Sequence, residues 1–237
     1  MAIDGMKVID LDSHLVGDLE SWGQTVEDNY REFLPRKLPT KDNERRKTLV
    51  GNQIMIGSEL GRQKAEKKEW VTEADLTPQG RVRNMDLDGI DVAVLSPNSP
   101  ALDILWFVDD PELAAAYARA QNNYMNWYAS QQKGRLMWAG VIPLQDPQEA
   151  IKELHRSREL GSKALNVKAT PIPGKEWSDA HFDPIFDELE KTKTPIIFHD
   201  TKTGSMGHER FANNFFFSHM VGRTLESMVC LMIYLCG

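Results

Sequence analysis

The stretch Val8-Ile9-Asp10-Leu11-Asp12-Ser13-His14 is a short apolar run that ends in Asp-x-His. Residues i and i+2 of a β-strand point to the same side, so a strand over Lys7 to Leu11 leaves Asp12 and His14 side by side at its C-terminal end. A carboxylate and an imidazole so placed suit a divalent metal. The plainer reading is a strand-end aspartate capping a turn, with a histidine packed beside it. A second apolar run, Pro195-Ile196-Ile197-Phe198, closes on His199-Asp200. It offers a third ligand at the end of another strand, although a histidine there is also an ordinary polar loop residue.

Between these runs the chain alternates strand and helix. Thr77-Pro78 caps a helix with Val82 and Met85 inward and Gly89 at its end. Asp91 to Leu95 reads as a strand and Ser96 to Pro100 as a turn-rich loop. Asp110-Pro111 opens a helix with Leu113, Ala116, Tyr117, Ala120, Tyr124, Trp127 and Tyr128 on one face. Leu136 to Ile142 is a strand. Asp146-Pro147-Gln148-Glu149 has capping-box form, and the helix it opens ends at Gly161. Ala164 to Val167 is a strand leading to Lys168, Asp183-Pro184 caps a helix, and a last apolar helix starts near Ser218.

Five strand–helix units with short, continuously apolar strands predict a parallel sheet covered by helices. An open doubly wound sheet and a (β/α)₈ barrel of TIM type both fit. No G-x-G-x-x-G follows the first strand and no Walker sequence occurs. Ligands at the C-terminal ends of the first and fifth strands favour the barrel. A barrel needs eight units and only about the first five are present. The final helix, Met228 to Cys236, is apolar on most sides and wants neighbours. The expectation is a single partial barrel domain over 1–237, the N-terminal part of a longer protein.

Residues 16–75 break the pattern. They are polar, with Lys41 to Lys47 strongly charged, and two short apolar runs flank Gly51-Asn52 as a hairpin would. This segment reads as an insertion after strand 1, a cap or arm whose charge run is a solvated face.

The 237 residues carry a net charge of −7 with no basic stripe, which argues against nucleic acid or an anionic membrane surface as the partner. No apolar run approaches the ~20 residues of a membrane span. With no signal peptide before Val8, the chain reads as cytoplasmic, and Cys230 and Cys236 as buried free thiols.

Among other polar residues, Lys168 closes the fourth strand, where it suits a substrate carboxylate, a carbamylated metal bridge, or plain solvent. His219 opens the last helix and is a candidate acid–base group. Arg83 suits an anionic substrate, Asp200 could support His199, and His155 and His208 have no supporting context.

The ordered set Val8–His14, Arg83–Leu95, Asp110–Ala114, Gly134–Leu136, Val141–Pro147 and Pro195–His199 resembles the amidohydrolase-related metal-dependent hydrolases and decarboxylases, the group that includes aminocarboxymuconate-semialdehyde and resorcylate decarboxylases. The resemblance implies a (β/α)₈ barrel with one divalent metal, zinc first and manganese or iron as alternatives. Asp12, His14 and His199 would take three ligand positions, with a further aspartate after an eighth strand. Many relatives have His-x-His or Glu-x-His where this chain has Asp-x-His. The implied activity is hydrolysis or decarboxylation of a small carboxylate-bearing or aromatic-derived substrate, with a homodimer as the expected assembly. A non-catalytic α/β interaction protein with a structural Asp-x-His is the alternative.

Overall fold

The computed structural model describes residues 5–15, 21, 23–41, 44–45, 47–56, 77–97, 101–199, 217, 220–221 and 223–236. Five parallel strands form one curled sheet in the order β1 (Ile9–Leu15), β5 (Val92–Pro97), β6 (Leu136–Gly140), β7 (Ala164–Lys168) and β8 (Ile196–His199). Helices α1 (Pro78–Asp88), α2 (Ala101–Phe107), α3 (Pro111–Ser130), α4 (Pro147–Leu160), α5 (Asp183–Thr192) and α6 (Arg223–Cys236) connect or follow them. Among the described residues this is the (β/α)₈ type of architecture with five of its βα units, a half-barrel whose edges are β1 and β8.

Local chemistry explains the helix boundaries. Thr77 accepts a hydrogen bond from Gly80 N–H at 3.1 Å, and Gly89 ends α1 in the left-handed region at φ 77°. Asp110 accepts from the N–H groups of Glu112 and Leu113, and Asp146 from that of Gln148. Helix α5 differs from expectation. Phe182 is its N-cap and Asp183 lies in the first turn, where a carboxylate complements the helix N-terminus without capping it.

Alternation along the strands sorts the core into two layers. Ala93, Leu95, Leu136 and Trp138 pack outward against Met85 of α1 and Met125 and Tyr128 of α3. Leu165, Val167 and Phe198 pack outward with Leu154 of α4 and Ile185 and Leu189 of α5. Val94, Ala139 and Ala164 face inward, with Met137 and Ile197 beside them.

Two further differences follow from packing. Trp127, expected on the buried face of α3, is 52% exposed, because Tyr124 and Tyr128 already occupy the contact. Cys236 is exposed and only Cys230 is buried, both as free thiols. Helix α6 finds neighbours on one side only among the described residues: Cys230 and Ile233 join the cluster of Ile185 and Leu189, and Tyr234 lies against Phe186 and Phe198, while Leu225, Met228, Leu231, Met232 and Leu235 are exposed.

The described part of 16–75 contains a 3₁₀ helix (Asp28–Phe33) and an antiparallel sheet of β2 (Arg36–Leu38), β3 (Lys47–Val50) and β4 (Gln53–Ile56). The hairpin turns at Gly51, whose φ of 55° favours a residue without Cβ; a Cβ there would also lie 2.9 Å from Leu113 Cδ2. The hairpin docks on the helices. Val50 and Met55 join a cluster with Leu102, Leu105, Leu113 and Tyr117, and the Tyr117 hydroxyl donates to Phe33 O. Arg119 donates to both carboxylate oxygens of Glu27, at 2.5 and 2.9 Å, and holds that carboxyl below the usual range.

Candidate metal centre

Strand β1 runs to Leu15, so Asp12 and His14 lie within it. Its pairing with β5 slips between Asp10 and Ser13, where three β1 steps oppose two on β5. The sequence supplies the cause. The Asp10 carboxylate accepts the Asp12 N–H at 2.9 Å, a local Asp turn that absorbs the extra residue as a bulge. Beyond the bulge Ser13 sits opposite Leu95, on the helix side, and His14 opposite Ser96, on the inner side. Arg81 of α1 fixes this arrangement from outside, donating to Ser13 Oγ at 2.9 Å and to His14 O at 2.6 Å.

The curl of the sheet brings β8 round to the same place. His199 Nε2 lies 2.8 Å from His14 Nε2 and 3.3 Å from Asp12 Oδ1; His14 Nε2 lies 3.7 Å from the same oxygen. A tetrahedral ion with ligands at 2.0–2.1 Å separates its ligand atoms by about 3.3–3.4 Å. The observed triangle brackets that value. Two imidazole Nε2 atoms and a carboxylate oxygen turned toward one point fit a divalent cation by donor type as well. The trio is graded in exposure, with the side chains of Asp12, His14 and His199 at 77%, 34% and 17%. It therefore opens to solvent on the Asp12 side. His199 Nδ1 is buried with no hydrogen-bond partner among the described residues.

Lys168 is not a solvated lysine. It is the backbone partner of His199, and its side chain is only 3% exposed. Its Nζ lies 3.4 Å from Asp103 Oδ1 and 4.4 Å from the centre of the Trp106 ring. Both partners come from α2, a helix not anticipated from the sequence because Ser96 to Pro100 reads as loop and the helix has only seven residues. Its signal was the apolar run Ile104-Leu105-Trp106-Phe107.

Ser96 and Asn166 were likewise missed; both lie on the inner face of the sheet, Ser96 near the C-terminal end of β5 and Asn166 at the middle of β7. Arg83 is exposed on α1, His155 pairs with Glu188 at 3.0 Å, and His181 contacts Leu144 O. Asp200, His208 and His219 lie outside the described residues.

A curled parallel sheet whose polar residues gather at the C-terminal strand ends places the chain among the α/β-barrel proteins. Residues 69–227 match the family model described as Amidohydrolase, and the chain belongs to that family. It is 27% identical over 160 residues to the 2-amino-3-carboxymuconate-6-semialdehyde decarboxylase of Dictyostelium discoideum, covering 66% of this chain and 43% of that protein. It is 29% identical over 125 residues to the gamma-resorcylate decarboxylase of Rhizobium radiobacter, covering 50% and 37%. The chain thus spans less than half the length of these relatives.

Among solved structures, an amidohydrolase from Mycobacterium avium subsp. paratuberculosis superimposes with a TM-score of 0.69 at 18% identity, covering 97% of this chain and 68% of that one. A dihydroxybenzoic acid decarboxylase from Polaromonas, solved with manganese and 2-nitroresorcinol, gives 0.63 at 19% identity, covering 97% and 60%. At these identities the structural likeness speaks for the fold.

Proposed function

We propose that this chain belongs to a carboxy-lyase and carries residues of its metal centre, acting on a small ring-derived substrate that bears a carboxylate. The observation behind this reading is the meeting of Asp12, His14 and His199 at one point from the two edges of the sheet. Those three residues would hold the ion. Bound there, a divalent ion would supply Lewis acidity toward a substrate oxygen. Zinc is the first assignment on donor type, and the Polaromonas relative's manganese makes that ion the alternative.

The chain's own residues supply position and charge. Lys168, braced by Asp103 over the Trp106 ring and adjacent to His199, orients the substrate carboxylate as a point charge. Decarboxylation leaves an electron pair on the ring carbon, which must be protonated. His219 is the proposed donor on sequence grounds. The names of the relatives favour decarboxylation over the hydrolysis that the same centre supports.

We further assign 16–75 as a cap or arm of a single barrel domain, the protein as a homodimer, and its compartment as the cytoplasm. The exposed Ile54 and Ile56, on the side of β4 opposite the docked Met55, support the dimer. For the compartment, no helix among the described residues is long and apolar enough to cross a membrane.

The test is CO₂ release from hydroxylated benzoates by zinc- or manganese-loaded protein. Metal-dependent release that disappears in His199→Ala supports the carboxy-lyase. Metal uptake with ester or lactone hydrolysis and no CO₂ would replace it by a hydrolase.

A further inference from the structure

Beside the three metal-ligand candidates the inner face carries buried polar atoms that no described residue satisfies. Asn166 is 1% exposed, and neither its amide nitrogen nor its amide oxygen has a hydrogen-bond partner. The hydroxyl of Ser96, fully buried, is unpartnered, as is the buried indole nitrogen of Trp106.

The sheet register puts these groups on one side. Val94 pairs with Met137 and Ala139 with Ala164, and these residues pack together on the inner face. Steps of two along β5 and β7 then place Ser96, Asn166 and Lys168 on that face. Cross-strand pairing adds His14 opposite Ser96 and His199 opposite Lys168. Trp106 reaches the same place because Lys168 lies against its ring.

Leaving such groups unpaired in a core is costly, and a wall lined this way is built for an occupant. Lys168, paired with Asp103, supplies the positive charge on this wall and is assigned to the substrate carboxylate. What remains is neutral: an amide that both donates and accepts, a hydroxyl and an indole N–H.

Resting on the carboxy-lyase reading, we infer that Asn166, with Ser96 and Trp106, forms a specificity subsite for a neutral hydroxyl or carbonyl on the substrate ring. The carboxylate itself is directed to Lys168 and the metal-ligand trio. Asn166 reads the ring's second polar substituent and leaves the reacting carbon to other groups. An apolar ring acid would leave the amide unpaired and bind more weakly.

Calorimetric titration of the metal-loaded chain with 2,6-dihydroxybenzoate and with benzoate tests this, on wild type, Asn166→Leu and Ser96→Ala. Metal content is measured on each protein and melting temperature on each ligand-free one. Wild type is expected to prefer the dihydroxy acid about tenfold, the range of one or two buried neutral hydrogen bonds. Asn166→Leu should reduce that preference to within about twofold, with benzoate affinity and metal content unchanged. It should also melt higher than wild type, since it removes two unsatisfied buried atoms at similar volume. Ser96→Ala should show a smaller loss of preference.

A raised melting temperature with the preference intact would mean that Asn166 holds a buried water only, and would overturn the subsite. No preference in metal-loaded wild type would also overturn it, leaving the metal centre standing. A chain that takes up no metal and binds neither acid would overturn both readings.

Discussion

His14 and His199, separated by 185 positions in the chain, face one another with their Nε2 atoms 2.8 Å apart. At that distance either an N–H···N hydrogen bond between the rings or a cation shared by both nitrogens joins them, and Asp12 Oδ1 lies 3.3 Å from His199 Nε2 to complete a ligand set for the latter. The strands that carry them form the two edges of the sheet, so the contact also reports the curl of the half-barrel.

Arg81 holds the bulged end of β1 through Ser13 Oγ and the His14 carbonyl. Charge-assisted hydrogen bonds of this kind contribute roughly 1.5–3 kcal/mol. Arg81→Ala is expected to lower stability by about 2 kcal/mol and, by loosening His14, to weaken metal binding about 10- to 100-fold. Urea unfolding and a competitive chelator titration measure the two effects. Full metal affinity in Arg81→Ala would show that β1 holds its shape without the clamp.

Lys168 and Asp103 are buried at 3% and 6% side-chain exposure. Removing one partner of a buried pair costs about 3–5 kcal/mol, because the other charge is left uncompensated. Lys168→Met should therefore destabilise by that amount, while Lys168→Met combined with Asp103→Leu should recover most of it. A double-mutant cycle in denaturant checks this. Additive losses would mean that the two residues act separately.

Much of this arrangement is legible in the sequence. Asp12, His14 and His199 each end an apolar run, and the strand–helix alternation with Asp-Pro starts and glycine stops marks the βα units. The bulge at Asp10 is harder to read, because it depends on a side chain bonding its own backbone two residues on. Helix α2 is too short and too close to a turn-rich stretch for periodicity to reveal it. Asn166 and Ser96 sit in strands that read as uniformly buried, and a lone polar residue there acquires meaning only when the curl of the sheet shows which face it joins.

The cysteines differ in environment. Burial pushes the Cys230 thiol up to about 12 from its ordinary 9.0, whereas Cys236 is exposed. At pH 8, iodoacetamide should modify Cys236 and spare Cys230 until the protein unfolds, as peptide mass mapping would show. The folded state keeps the Cys230 proton better than the unfolded chain does. Its contribution is therefore complete below pH 9.0 and falls as pH rises toward about 12. Rapid alkylation of Cys230 at pH 8 would contradict its placement against α5.

Ile54 and Ile56 are 52% and 51% exposed on a hairpin whose other face is docked. If that surface meets a second copy, light scattering should give a dimer, and Ile54→Lys with Ile56→Lys should give a folded monomer. A wild-type monomer at micromolar concentration would rule out the homodimer.

The central claim is that residues from the first and last strands of the sheet share one metal ion. Elemental analysis of purified wild type, Asp12→Ala, His14→Ala and His199→Ala, each confirmed as folded by circular dichroism, tests it most directly. The account predicts near one equivalent of zinc or manganese in wild type, loss in both histidine variants, and weaker retention in Asp12→Ala, whose carboxylate is the most exposed of the three. Metal retained at wild-type level in His14→Ala or His199→Ala, or no metal in wild type after reconstitution, would contradict it.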